Sequence, residues 1–100
     1  MQDTIAKITV DNMESPRTGH PVANQFEIRT EEGTYFQSYR SIIAFRPYNH
    51  IKYGATIILD ETYWDYSRTT GKYRNEFLGE GIAETRRKIK TGEYKLSNLN

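Results

Sequence analysis

Apolar and polar residues alternate in the N-terminal part of the chain with the period of two that is typical of β-strands. The alternation predicts strands over residues 5–10, 25–30 and 34–39. In the second of these, Phe26 and Ile28 are expected to face the core, and the charged residues between them are expected to face solvent. This pattern indicates strands with one buried face.

Turn residues interrupt this alternation at two places. Pro16, Gly19 and Pro21 lie close together, and two prolines beside a glycine disfavour a helix or a central strand. We therefore expect a long turn-rich loop over residues 11–24. Gly33 ends a Glu-Glu-Gly segment and is expected to take the left-handed position of a hairpin loop.

Three further segments favour strands. Residues 41–45 (SIIAF) are short and apolar, and form either a separate strand or the end of the preceding one after a kink at Arg40. Residues 55–60 (ATIILD) are rich in β-branched side chains. Residues 93–99 are expected to add a last short strand. Together, these segments predict an antiparallel sheet of about five strands.

The hydrophobic spacing changes to that of an α-helix near residue 66. One helical face is formed by Tyr66, Thr70, Tyr73 and Phe77, and its three aromatic residues are expected in the core. Ser67 or Thr69 is the expected N-cap, and Gly79 is the expected C-cap. A second helix is predicted over residues 82–90, with an outward Glu84–Lys88 pair, and it ends at Gly92.

These elements predict one α+β domain over residues 1–100, with two short C-terminal helices packed on one face of the sheet. The chain has 100 residues and no cysteine, which excludes disulfides and thiolate metal sites. No segment has the length and apolar character of a membrane helix, and the N-terminal residues lack the pattern of a signal peptide. We therefore expect a soluble, cytoplasmic protein without a membrane partner.

The charge distribution is uneven although the net charge is only +1. Residues 1–65 contain six Lys and Arg against nine Asp and Glu, whereas residues 66–100 contain eight against four. A basic C-terminal third of this kind suggests an anionic partner. The whole chain remains less basic than a dedicated nucleic-acid-binding domain.

Three groups of residues imitate catalytic motifs without completing one. The segment TTGK at residues 69–72 resembles the end of a phosphate-binding loop, but Tyr66 and Tyr73 replace its first glycine and its magnesium-binding hydroxyl. His20 and His50 lack ligand spacing and are expected in solvent-exposed loops. The acids at positions 60, 61 and 65 are better explained as solvated or helix-terminal charges. We therefore expect no enzyme activity, no metal and no cofactor.

The segment over residues 63–74 interleaves aromatic and cationic side chains, and a basic run follows at residues 86–90. Trp, Tyr and Arg dominate protein-binding hot spots, and the same residue types stack on and neutralise nucleic acids. The candidate partner-binding residues are Trp64, Arg68, Lys72, Arg74, Arg87 and Lys88. The alternatives are a half-buried aromatic belt for the first segment and a solvated helix face for the second.

Several phrases of the chain resemble a family of small proteins encoded by tailed phages and prophages. The resemblance covers roughly residues 17–100 and is carried by PVANQF (21–26), YFQSY (35–39), SIIAF (41–45), YWDYSRTT (63–70), FLGE (77–80), IKTGEY (89–94) and the final LN. It implies expression in an infected bacterium as an accessory factor. It assigns no functional residue.

Two functions are compatible with these observations. The first is a non-enzymatic module that binds a host or phage protein, for example as an inhibitor of a host-defence factor such as a CRISPR effector. The second is a nucleic-acid-binding accessory protein that uses the basic, aromatic C-terminal third. A virion component also remains open, and exposed strand edges are compatible with a homodimer.

Overall fold

The computed structural model describes residues 7–48 and 56–100. Its elements are β1 (Thr9–Glu14), β2 (Pro21–Arg29), β3 (Gly33–Ser38), β4 (Ser41–Pro47), β5 (Ile57–Asp60), α1 (Arg68–Leu78), α2 (Ile82–Thr91) and β6 (Tyr94–Ser97). The predicted α+β class is confirmed, with a sheet in which each strand lies beside its neighbours in the chain.

The sheet is antiparallel from β1 to β5, but β6 runs parallel to β5. Two neighbouring parallel strands need a crossover connection, which is usually helical. Here α1 and α2 form that crossover between β5 and β6. The last predicted strand therefore exists, and the connection through the helices fixes its direction.

The core lies between one face of the sheet and the helices. Phe36 of β3 stacks on Phe77 of α1 with ring centroids 5.7 Å apart. Leu59 of β5 and Tyr73 of α1 belong to the same buried cluster. We refer to the opposite side of the sheet, which carries the side chains that alternate with these, as the open face.

The first strand and the loop after it differ from the prediction. The strand extends through Glu14 and the next begins at Pro21, so the connecting turn spans only residues 15–20. Pro21 is tolerated because it is the first residue of its strand. Of the strand predicted over residues 5–10, residues 5 and 6 lie outside the described part of the chain.

The predicted orientation of β2 is wrong. Gln25 is fully buried, and Glu27 lies opposite the core residue Phe36, so these polar residues share the helix-covered face. Phe26 and Ile28 are half-buried on the open face. Alternation alone does not specify which face is covered when apolar residues occupy the side that the helices leave open.

Gly33 does not have the predicted left-handed conformation, since it is absent from the residues with positive φ. It allows a close approach of two strands instead. A β-carbon at this position would lie 2.8 Å from the Cα of Pro47. Glycine is therefore required at this position because the pairing of β3 with β4 leaves no space for a side chain.

The helix ends follow the sequence prediction closely. Ser67 is the N-cap of α1, and its side chain accepts a hydrogen bond from the backbone N–H of Thr70. Gly79 and Gly92 end the two helices in the left-handed conformation that glycine adopts at low cost. Tyr66 lies before the N-cap and is exposed, so its predicted place in the core is wrong.

Candidate partner-binding surface

The six candidate residues occupy different environments, and Arg74 is the clearest correction. Its side chain is 2% exposed and therefore cannot contact a partner. Its Nη1 donates to the carbonyl oxygen of Trp64 and to Oδ1 of Asp65, both at 2.9 Å. Arg74 holds the segment before α1 against the helix.

Trp64 is half-buried and packs against the core cluster. The guanidinium of Arg74 lies 5.3 Å from the centre of its ring. This contact supports the alternative of an aromatic belt with a cation over it, rather than an outward-facing Trp64.

The cations of the basic run on α2 are held by acids. Arg87 donates to Glu84 at 2.6 Å and to Glu93 at 3.3 Å. Lys88 is paired with Glu80 at 2.7 Å, so the predicted Glu84–Lys88 pair is wrong. These two candidates neutralise their own neighbours and contribute little charge to a partner.

Glu80 is the centre of a hydrogen-bonded cluster at the junction of α1, α2 and β6. Its carboxylate accepts from Lys88, from the hydroxyl of Thr85 at 2.7 Å and from that of Tyr94 at 2.9 Å. Burial acts to raise the pKa of Glu80, but these bonds outweigh it and hold the pKa below its usual value. Burial and the bond to Glu80 raise the pKa of Tyr94 to about 12.

Arg68 and Lys72 are exposed, as predicted. They lie four positions apart on α1 and therefore share one helical face. No ion pair involves either side chain within residues 7–48 and 56–100. Of the six candidates, these two remain available to an external anionic group.

The first turn of α1 is joined to the end of β3 by buried hydroxyl groups. Thr70 Oγ1 lies 2.8 Å from Ser38 Oγ and 2.9 Å from Ser67 Oγ. Ser38 directly precedes the turn between β3 and β4. The hydroxyl contacts therefore place this turn beside the first turn of α1.

Tyr39 in that turn has a strained backbone, with a φ of 56°. Its N–H donates to the carbonyl of Asn24 at 2.7 Å, and its own carbonyl accepts from Gln37 Nε2 at 2.8 Å. The ring is nevertheless 45% exposed. A bulky residue at positive φ is a genuine outlier, and such strain is often retained at binding sites.

We define the α1 surface as Tyr39, Arg40, Tyr66, Arg68 and Lys72, all of which are exposed. Sequence reasoning identified Arg68 and Lys72 but missed the other three. Tyr39 and Arg40 are distant in sequence from the helix, and the contact between Ser38 and Thr70 places the turn that carries them beside its first turn.

Asp60, the last residue of β5, has a structural role. Asp60 is buried and accepts the backbone N–H groups of Thr62, Tyr63 and Leu99 at 2.8 to 3.0 Å. Although burial acts to raise the pKa of Asp60, these bonds hold it below its usual value. The expectation of a solvated charge is wrong for Asp60, which organises the chain around it.

The other imitations of catalytic motifs lie in ordinary surroundings. The TTGK segment lies within α1, and His20 is exposed. The prediction for His50 falls outside the described residues. In the part of the chain that the structure describes, no three His, Asp or Glu side chains are arranged to hold a metal ion.

An open groove of about 600 Å³ lies between the β1–β2 hairpin and α1. Its lining is mainly acidic and includes Glu14, Glu27 and Glu76. Arg29 also lines it and forms ion pairs with Asp11 and Glu27. The groove therefore has a charge opposite to that of the α1 surface.

The fold defines an α+β protein in which a six-stranded mixed sheet is covered on one face by a two-helix crossover. The sequence matches the model of a family of unknown function, DUF8033, over residues 8–93, and the chain belongs to that family. Searches of curated proteins and of solved structures found no significant match. No helix among the described residues is both long and apolar enough to cross a membrane.

Proposed function

We propose that this protein is a non-enzymatic binding module and that the α1 surface is its docking site for another protein. The observation that carries the proposal is Tyr39, an exposed aromatic residue in a left-handed conformation, whose N–H bonds to the carbonyl of Asn24 and whose carbonyl accepts from the side chain of Gln37. Glycine or asparagine would fit this turn with less strain. The strained tyrosine is explained if its ring is needed by a partner.

The charge of the α1 surface specifies the chemistry of the partner. Arg40, Arg68 and Lys72 are exposed, and no ion pair holds them within the described residues. Tyr and Arg are the residue types that most often anchor protein interfaces. The proposed partner therefore presents an apolar pocket for Tyr39 and carboxylates for these cations.

Nucleic-acid binding by the basic C-terminal third receives less support. Four of its eight cations form ion pairs with acids of the same chain, namely Arg74, Arg86, Arg87 and Lys88. A cation that is paired with an acid of the same chain is not free to neutralise a phosphate group. A protein partner needs only the small cationic group on the α1 surface.

The identity of the partner stays a prediction from the resemblance to phage proteins. That resemblance favours a bacterial cytoplasm as the place of action and a host-defence factor, such as a CRISPR effector, as one target. Both rest on analogy and not on a site in the fold.

The proposal is tested by capture from a lysate of the source organism, with and without nuclease. The tagged wild type is compared with a Arg68→Glu/Lys72→Glu double variant. We expect the wild type to retain one stoichiometric protein after nuclease treatment and the variant to lose it, because the variant opposes the acidic groups of the partner.

The matched control is the double variant Arg17→Glu/Lys90→Glu, which makes the same charge change at two exposed positions outside the α1 surface. It should retain the partner. Equal losses by the two double variants would show that net charge, and not this surface, determines capture. Capture that disappears with nuclease would support nucleic-acid binding instead.

A further inference from the structure

The core contains an amide whose polar atoms have no protein partner. Gln25 of β2 is 0% exposed. Among the residues that the structure describes, neither its Nε2 nor its Oε1 forms a hydrogen bond. Exchanging the nitrogen and the oxygen would supply no partner, because both positions lack one.

A buried amide is costly to leave unpaired, because it gives up its hydrogen bonds to water on folding. Most buried polar side chains are therefore bonded to protein or to an ordered internal water. Such a water bonds to about three polar atoms and so needs several of them close together. The surroundings of Gln25 meet this requirement.

Ser38 is the nearest polar neighbour of Gln25 in the sheet. The two residues are register partners in the β2–β3 pair, so their side chains lie side by side on the helix-covered face, with β-carbons about 5 Å apart. Ser38 is also 0% exposed, and no hydrogen bond joins it to the amide of Gln25. Neighbouring polar groups without a direct bond are commonly bridged by water.

The hydroxyl groups beside Gln25 have one hydrogen more than they use. Ser67 donates to Thr70 Oγ1, and a further bond of 2.8 Å joins Thr70 to Ser38. These two bonds use two of the three hydroxyl hydrogens. The third belongs to Ser38 or Thr70, both fully buried, and has no acceptor among the described residues.

We infer that an internal water molecule is bound between Gln25 and this group of hydroxyls. The water accepts the surplus hydroxyl hydrogen and donates to the amide oxygen of Gln25. One bridge thus pairs an acceptor on β2 with a donor at the contact of β3 and α1. Burial of Gln25, Ser38 and Thr70 excludes a larger ligand from the same place.

The inferred water also explains why a polar residue occupies the core at position 25. The hydroxyl contacts hold the first turn of α1 beside the end of β3. With the water in place, Gln25 extends this connection to β2. An apolar side chain at this position would pack in the core but would leave the surplus hydroxyl hydrogen without an acceptor.

Oxygen-17 relaxation dispersion of the solvent tests the inference, because its amplitude measures the number of long-lived internal waters. Gln25→Met keeps the length of the side chain and removes both polar atoms of the amide. We expect the amplitude to fall by the equivalent of one water molecule. A wild type without any long-lived water, or equal amplitudes for the wild type and a folded Gln25→Met, would overturn the inference.

Gln37→Met is the matched control, because the amide of Gln37 already donates to the carbonyl oxygen of Tyr39 at 2.8 Å. It should leave the amplitude unchanged. Urea denaturation gives an independent measurement, in which Gln25→Met should unfold at a lower midpoint because the bridge is lost. A higher midpoint would show that the amide is unpaired in the wild type, and would also overturn the inference.

Discussion

Arg68 and Arg74 belong to the same helix, but their environments give them different roles. Arg68 is exposed, whereas Arg74 is enclosed by the segment that precedes the helix and is paired with Asp65 at 2.9 Å. A buried arginine with charge-assisted hydrogen bonds positions the chain around it. Removing Arg74 takes a donor from the part-buried carbonyl of Trp64, whereas the carboxylate of Asp65 stays in contact with solvent.

We expect Arg74→Ala to lower the free energy of unfolding by about 1–3 kcal/mol, because it removes a buried side chain and leaves the part-buried carbonyl of Trp64 without this donor. Urea denaturation measures the change. Arg68→Ala is the matched control on the same helix and should change stability by less than about 0.5 kcal/mol. Equal, small effects of the two variants would contradict the structural role of Arg74.

At the scale of elements, the junction of α1, α2 and β6 depends on one carboxylate. Glu80 follows the C-cap of α1 and binds residues from α2 and β6 through three hydrogen bonds. The lowered pKa of Glu80 means that its ionised carboxylate is more favourable in the folded state than in the unfolded state. The raised pKa of Tyr94 likewise favours the neutral phenol in the folded state.

Stability should therefore depend on pH at both extremes. The contribution of Glu80 is present above its usual pKa of 4.5 and is lost as pH falls through the lowered value in the folded state. The contribution of neutral Tyr94 is present below pH 10.0 and is lost as pH rises through about 12. Thermal unfolding as a function of pH measures both limits.

Glu80→Gln should lower the free energy of unfolding by about 1.5–3 kcal/mol at neutral pH and reduce the loss of stability in acid. Glu84→Gln, at a surface-exposed pair, should have little effect on either quantity. If wild type and Glu80→Gln lost the same amount of stability as the pH is lowered, this role of Glu80 would be contradicted.

The accuracy of the sequence prediction differs between elements for physical reasons. Both helices were predicted within two residues, because Ser67, Gly79 and Gly92 are local signals that the fold uses directly. The orientation of β2 was not predictable from its alternation. Gln25 is fully buried, and its position inside the core is set by strands and helices distant in sequence.

The candidate site was only partly predictable for the same reason. Composition identified Arg68 and Lys72, but it could not separate them from Arg74, which has the same chemistry and a different depth. Tyr39 gave no signal in the sequence. Its strain arises from a turn whose geometry is fixed by contacts with Asn24 and Gln37.

At the scale of the whole molecule, the uneven charge distribution is largely rearranged by folding. Much of the basic C-terminal third is neutralised by acids nearby, whereas Arg68 and Lys72 of α1 form no ion pair among the residues that the structure describes. The α1 surface and the open face are therefore two separate surfaces. The first is proposed to bind another protein.

The central claim is that the strain at Tyr39 is retained because its ring contacts a partner. The most direct test measures unfolding and partner affinity for the same variant, Tyr39→Gly. Relief of the left-handed conformation should raise the free energy of unfolding by about 1 kcal/mol, while loss of the ring should weaken binding by about tenfold or more.

Tyr48→Gly is the matched control, because Tyr48 is also 45% exposed but lacks a positive φ. It should neither stabilise the fold nor weaken binding. We predict that Tyr39→Gly is more stable than the wild type and binds the partner more weakly, and that Tyr48→Gly shows neither change. Unchanged affinity in Tyr39→Gly would contradict the account, whatever happened to its stability.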